Sequence, residues 1–335
     1  MKKHLLFIIT ILLICIVLFC ACSATGQYFL FGTFIDLNIE GSGSIKTEKE
    51  IASELERLEE LFSATIEGSD VWRINYAKAN EAVTVSGDTM AALAICKNIY
   101  ELSGGAFDPT VYPLVKLWKF TADTYTGLPS APPSVEAINE LLSYVGFNDM
   151  IMLDETENTV TKSYDEVQID FGGVAKGYAA KKSADIAQGK TALLNLGGNI
   201  VCVGKSYKIG VANPRESDAA YFGSMTVENG FSVSTSGDYE RYYEYEDVRY
   251  HHIINPKTGY PSGINSSTGG MNEDRLVSVT VISEQFADCD AIATAALILG
   301  KENGVALLQS LGLKAVLIDC ELNYLLVGNV DFVKK

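Results

Sequence analysis

Residues 28–39 alternate apolar and polar side chains closely enough to predict a strand, and residues 41–44 supply a turn. The period then lengthens. Ile51, Leu55, Leu58 and Phe62 fall on one helical face, with Thr47 and Glu50 spaced as a capping box and the acids left to solvent. A second helix is expected over about 88–102, stopped by Gly104-Gly105, and a third over about 134–145, stopped by Gly146. Between them, residues 121–133 are rich in Thr, Gly and Pro, follow neither period, and read as a loop and candidate lid. Residues 150–153 and 159–163 predict a hairpin; 168–171 predict a short strand running into Gly172-Gly173 and a helix over about 175–187. Strands with tight turns dominate 192–254, one turn crossing Glu246-Asp247, and 263–274 form a second loop. The remainder reads as a strand (276–282), a helix (287–299), a break at Gly300, a short helix and two strands. Strands and helices mix without strict alternation, which points to an α+β fold rather than a doubly wound sheet.

The first residues change the picture of where the chain works. Lys2 and Lys3 precede an apolar run over 5–21, followed by a polar stretch at 23–27. This is a signal-peptide pattern, too short and wrongly flanked for a membrane-spanning helix. The run ends FCAC, and Ala21 before Cys22 has the form of a lipobox, although Phe19 stands where Leu is usual. Lipidation at Cys22, simple cleavage and an uncleaved anchor are the alternatives. The expected division is a lipoprotein-type signal peptide (1–21), a linker (22–27) and one folded domain (28–330).

With 335 residues, 47% hydrophobic and 20% charged, the chain can bury a large core. Its formal net charge is -16, and loss of the two leader lysines makes it more negative still. Such a surface repels nucleic acid, which is excluded as a partner. Beyond the leader, Cys96, Cys202, Cys289 and Cys320 are widely spaced in apolar surroundings, and read as small buried hydrophobes rather than disulfides or a zinc site.

His251 and His252 are the only histidines outside the leader, which rules out a three-histidine zinc centre or an H-E-x-x-H protease. No G-x-S-x-G elbow is present. Four glycine-bearing segments stand out: SGGAFDPTVYPLVKLW from 103, IDFGGVAKGYAA from 169, LNLGGNI from 194 and VSTSGDYERYY from 233. Gly172-Gly173 before a helix offers free amides and a positive dipole end beside Lys176, a setting suited to a diphosphate; capping and turn formation are the plainer reading. Asp290 and Thr294 are spaced to share one face of an apolar helix. Carboxylate plus hydroxyl is a hard oxygen pair suited to magnesium, while helix capping and back-bonding are the competing roles. In HHIINPKTGYP, from 251, one histidine can serve as a general base, and at least one is expected to be structural.

Together, SGGAFDPTV, the ID-x-GG-x-AKGYA run, STSGDYERYY, HHIINP-x-TG and the D-x-x-x-T helix resemble the ApbE family, the FAD:protein FMN transferases, from about 32 to 327. The resemblance implies a T-fold-related α+β architecture, with mixed and antiparallel sheets and packed helices around a deep FAD cleft. It places Ala106, Phe107 and Asp108 on the adenine and ribose side of FAD, with Asp170 and Lys176 also on the nucleotide. Phe31, Thr65 and Ile253 are further cofactor-binding positions. Mg2+ would be held by Asp290, Thr294 and the carbonyls of Gly173 and Ala287. His252 would be the base, and Lys176 would share the diphosphate charge. The implied product is FMN joined by a phosphoester to Thr or Ser of an acceptor flavoprotein subunit of an extracytoplasmic electron-transfer system, with AMP released by an enzyme lipid-anchored to the membrane. Two departures stand out: Phe31-Gly32-Thr33 where the family usually has Met-Gly-Thr, and Thr65 where many members carry an aromatic ring. The second favours FAD hydrolysis to FMN and AMP as an alternative. A non-catalytic flavin-binding lipoprotein is the third reading. No D-x-x-[ST]-G-A-[ST] acceptor motif lies in the chain, so self-flavinylation is not expected.

Overall fold

The computed structural model describes residues 23–121, 123–128, 130–216, 221–284 and 286–335. The expected leader and Cys22 lie outside them. In chain order the elements are β1 (Ser23–Leu30), β2 (Thr33–Glu40), α1 (Ser44–Phe62), α2 (Asp70–Tyr76), β3 (Val83–Thr84), α3 (Gly87–Leu102), α4 (Tyr112–Leu117), α5 (Val135–Leu142), α6 (Phe147–Met150), β4 (Ile151–Asp154) and β5 (Thr159–Lys162). Then follow α7 (Ala175–Ile186), β6 (Thr191–Leu196), β7 (Asn199–Val203), β8 (Tyr207–Val211), β9 (Gly223–Val227), β10 (Ser232–Gly237), β11 (Tyr242–Tyr245), β12 (Val248–His251), β13 (Leu276–Ser283), α8 (Cys289–Ser310), β14 (Lys314–Asp319), β15 (Tyr324–Val327) and β16 (Phe332–Lys334).

An eight-stranded antiparallel sheet, ordered β1-β2-β6-β7-β10-β13-β14-β15, organises the molecule. Strand alternation divides its apolar side chains between two cores. In β14, Ala315 and Leu317 join the core under the helices, while Val316 and Ile318 join one beneath a small sheet, β16-β9-β8. β13 does the same, but the register slips between Leu276 and Ser278, so Val277 and Ile282 face the small sheet while Val279 and Val281 face the helices. Cover on both faces explains why all eight residues of β13 are buried. A third cluster packs α4 and α5 against the β11-β12 hairpin, with Trp118 stacked on Tyr250 at 5.4 Å and its ring nitrogen donating to the Gly259 carbonyl at 2.8 Å.

The α+β reading stands, with several corrections. Residues 28–39 are two strands, because Phe31 (φ 53°) and Gly32 (φ 69°) both take positive φ, as a two-residue hairpin turn of type I′ requires. β1 begins at Ser23, so residues 23–27 pair with β2 and are no linker. β16 lies beyond 330 and pairs with β9. The Thr47–Glu50 capping box does not form: α1 starts at Ser44 after Gly43, Thr47 is buried inside the helix, and the neighbouring Glu48 accepts a hydrogen bond from the Tyr28 hydroxyl. Among the described residues, 168–171 join no ladder, and the Asn75 side chain bonds the Ile169 amide and carbonyl instead. The four cysteines are free, with Cys96, Cys202 and Cys289 buried and Cys320 half-buried.

Candidate active site

Two helix starts meet at the site. A Cβ placed on Gly177, in the first turn of α7, would lie 2.6 Å from the Ala287 carbonyl and 3.1 Å from Asp290 Cβ. Only glycine lets α7 and α8 approach this closely. Gly173 behaves alike: its Cβ would lie 2.9 Å from the Phe107 ring and 3.5 Å from Thr294 Oγ1. From α7, Lys176 Nζ reaches Asp290 Oδ2 at 3.3 Å and the Gly172 carbonyl at 3.3 Å. β10 runs beneath α8, bringing Ser234 Oγ to 3.4 Å from Asp290 Oδ1 and Ser236 Oγ to 3.0 Å from Thr294 Oγ1. Asp290 and Thr294 therefore share one polar cluster with Lys176, Ser234 and Ser236. Asp288, not Asp290, holds the N-cap position, and it makes no side-chain cap bond.

Asp170 sits on the same loop, its Oδ1 accepting the Gly172 amide and its own amide donating to the Pro109 carbonyl at 3.0 Å. Burial pushes its carboxyl up, opposed by the Gly172 amide and by the charges of Arg241 and Lys176. Asp108 is occupied differently. One oxygen accepts from the amide and hydroxyl of Thr110 at 2.8 and 2.6 Å, and the other from the Phe147 amide at 3.1 Å. Burial still raises it to about 6 against those three bonds. Asp108 thus braces the turn that follows Ala106 and Phe107, both of which are themselves buried.

The histidine pair divides cleanly. His251 is buried with Nε2 at 2.8 Å from the Ser262 carbonyl, a structural role. His252 is half-buried, with Nδ1 3.3 Å from the Arg241 carbonyl, which also accepts the His252 amide at 3.0 Å. With Nδ1–H donating there, Nε2 keeps its lone pair. Burial, then Arg241 and His251, hold His252 well below the usual imidazole range, so it is neutral at physiological pH.

Phe31 and Thr65 gather at the end of α1. The Phe31 amide donates to Glu59 Oε1 at 2.6 Å, and Thr65 is exposed in a turn organised by Ser63 Oγ. Phe62, the last residue of α1, packs edge-on against Phe171 at 5.2 Å and Tyr178 at 5.5 Å, linking this end to the Asp170–Gly173 loop. Ile253 is buried in the main core, where its side chain serves packing. Ser234, Ser236 and Arg241 were missed as site residues. The two serines left a legible trace, since i, i+2 spacing on a strand puts them on one face.

The ApbE family model matches residues 31–317. An FAD:protein FMN transferase of Klebsiella pneumoniae is 35% identical over 258 residues, covering 76% of each chain. One from Treponema pallidum is 30% identical over 281 residues, covering 78% of this chain and 73% of its own. Among solved structures, the ApbE protein of Thermotoga maritima superposes with a TM-score of 0.79 at 30% identity, over 90% of this chain and 96% of that one. The flavin transferase ApbE of Vibrio cholerae gives 0.75 at 25% identity, over 91% and 96%.

Proposed function

This chain belongs to the ApbE family, and on that premise we propose that it is a Mg2+-dependent FAD:protein FMN transferase, acting on a Thr or Ser of an extracytoplasmic acceptor flavoprotein. The observation that carries the reading is the convergence of Lys176, Asp290 and Thr294 on the Gly172-Gly173 loop. Asp290 and Thr294, with the carbonyls of Gly173 and Ala287, would hold the ion. The donors fit. They are hard oxygens around a carboxylate only 3% exposed, whose charge is met by the Lys176 ammonium. Among the described residues no three of His, Cys, Asp or Glu converge, so one protein carboxylate would share the ion with water and substrate phosphate. When bound, Mg2+ supplies charge neutralisation at the diphosphate.

The chain's own residues do the rest. Lys176 spreads charge building on the diphosphate oxygens. His252 Nε2 takes the proton of the acceptor hydroxyl while that oxygen bonds to the FMN-side phosphorus. The bond from that phosphorus to the bridging oxygen breaks, and AMP leaves with the electron pair. Arg241 holds the imidazole tautomer through its carbonyl.

Hydrolysis of FAD to FMN and AMP is the second reading, favoured by the exposed Thr65 hydroxyl in place of a ring that would exclude water. We further read Cys22 as the lipid-bearing residue of an extracytoplasmic protein; because β1 starts at Ser23, such an anchor would hold the edge of the main sheet against the bilayer.

One assay separates the readings. Protein, FAD, Mg2+ and an acceptor domain are incubated, and AMP release is followed alongside covalent flavin fluorescence on a denaturing gel. AMP with labelled acceptor supports transfer. AMP without label supports hydrolysis, and neither product leaves flavin binding alone.

A further inference from the structure

Lys162 ends β5 and is 2% exposed, yet its ammonium lies among backbone carbonyls. Nζ donates to the carbonyls of Asn75 (2.8 Å), Asp165 (3.0 Å) and Val167 (3.0 Å). An ammonium has three N–H donors, and here each has one acceptor. The Asn75 carbonyl belongs to the last turn of α2, where helical carbonyls lack intrahelical partners and a cation is favoured. Asn75 then extends the hold. Its side-chain amide donates to the Ile169 carbonyl at 2.9 Å and accepts from the Ile169 amide at 2.7 Å, as a neighbouring strand would. This is why 168–171 read as a strand yet join no ladder. The next residue is Asp170, pinned to Pro109, and then come Gly172 and Gly173 against Phe107 and Thr294.

We propose that Lys162 and Asn75 are positioning residues, a buried ammonium and amide that clamp residues 165–169 and thereby set the diglycine loop on the dinucleotide's diphosphate. The inference rests on the functional reading above for what the loop binds, but not for the clamp itself. Neither residue touches the reacting atoms. Both act through the backbone they hold.

The test uses the full mature chain with Lys162→Met, Lys162→Ala and Asn75→Asp. Hydrogen exchange of the amides at 169–173 is compared with that in β13, and FAD affinity and AMP release are measured in parallel. Exchange is expected to accelerate at 169–173 and not in β13. FAD binding weakens, and kcat/KM falls by roughly tenfold to a hundredfold, the scale of an ångström-sized misplacement of binding groups. In Lys162→Ala, added methylammonium restores exchange protection and FAD affinity together. Wild-type exchange at 169–173 with wild-type FAD affinity in a folded Lys162 variant overturns the proposal, as does acceleration spread equally through β13. Should neither Lys162 variant fold, Asn75→Asp decides by the same criteria, since it keeps the acceptor for the Ile169 amide and sets an oxygen against the Ile169 carbonyl. Absence of AMP release from the wild-type protein would remove the functional reading while leaving the exchange result to judge the clamp.

Discussion

Lys176 Nζ and Asp290 Oδ2 meet at 3.3 Å across the first turns of two helices separated by more than a hundred residues of chain, and both side chains are largely withdrawn from water. On the function proposed above, a diphosphate and its counter-ion would compete for this cation and this anion. Asp290→Ala is expected to abolish AMP release, and isothermal titration should show Mg2+ affinity lost with it. Turnover at the wild-type rate would remove Asp290 from the mechanism.

Gly177→Ala tests the helix approach itself. The new Cβ would meet the backbone carbonyl of Ala287 at 2.6 Å, a partner that cannot swing aside. Urea unfolding should show a loss of about 1–3 kcal/mol, typical of overpacking, and Mg2+ titration a weakened site.

The lowered His252 basicity sets a pH signature. The neutral, competent imidazole persists above its lowered pKa, so kcat/KM should stay level through pH 6.5 and fall only at more acidic pH. His252→Ala should lower the rate by roughly 10²–10⁴-fold, spare FAD binding, and lose that acidic limb.

Asp108 makes an opposite kind of prediction. Its carboxyl is raised in the fold to about 6 from 3.8, so the native state favours the protonated form. Its contribution is fully present below pH 3.8 and lost as pH rises through about 6. Wild type minus Asp108→Asn unfolding free energies should therefore be larger at pH 4 than at neutral pH, by on the order of 2 kcal/mol.

Thr65→Tyr should shift products rather than rate. A ring at this exposed position would exclude water from the acceptor's place, so labelled acceptor per AMP released should rise. An unchanged ratio would show that Thr65 does not govern the competition between water and protein.

Much of the fold was written in periodicity. The α1 face of Ile51, Leu55, Leu58 and Phe62 and the hairpin at Glu246-Asp247 occur where expected, because their burial patterns repeat locally. The Phe31-Gly32 turn was a local signal passed over, but two other errors came where a distant group substituted for a local one. Glu48 bonds Tyr28 instead of Glu50 closing a capping box, and the Asn75 amide stands in for a partner strand beside Ile169.

By itself the sequence determined the α+β class, the glycine-marked segments, and the chemistry available at Asp290, Thr294, Lys176 and His252. Spacing along one helix or strand sets which oxygens share a face, and no tertiary contact is needed for that. Only the tertiary structure showed that His251 is buried against the Ser262 carbonyl, that Asp108 braces its own turn, and that Lys162 holds the approach to the diglycine loop. Those roles depend on carbonyls and amides brought from elsewhere in the chain, and backbone groups carry no residue-specific signature from which such meetings are legible.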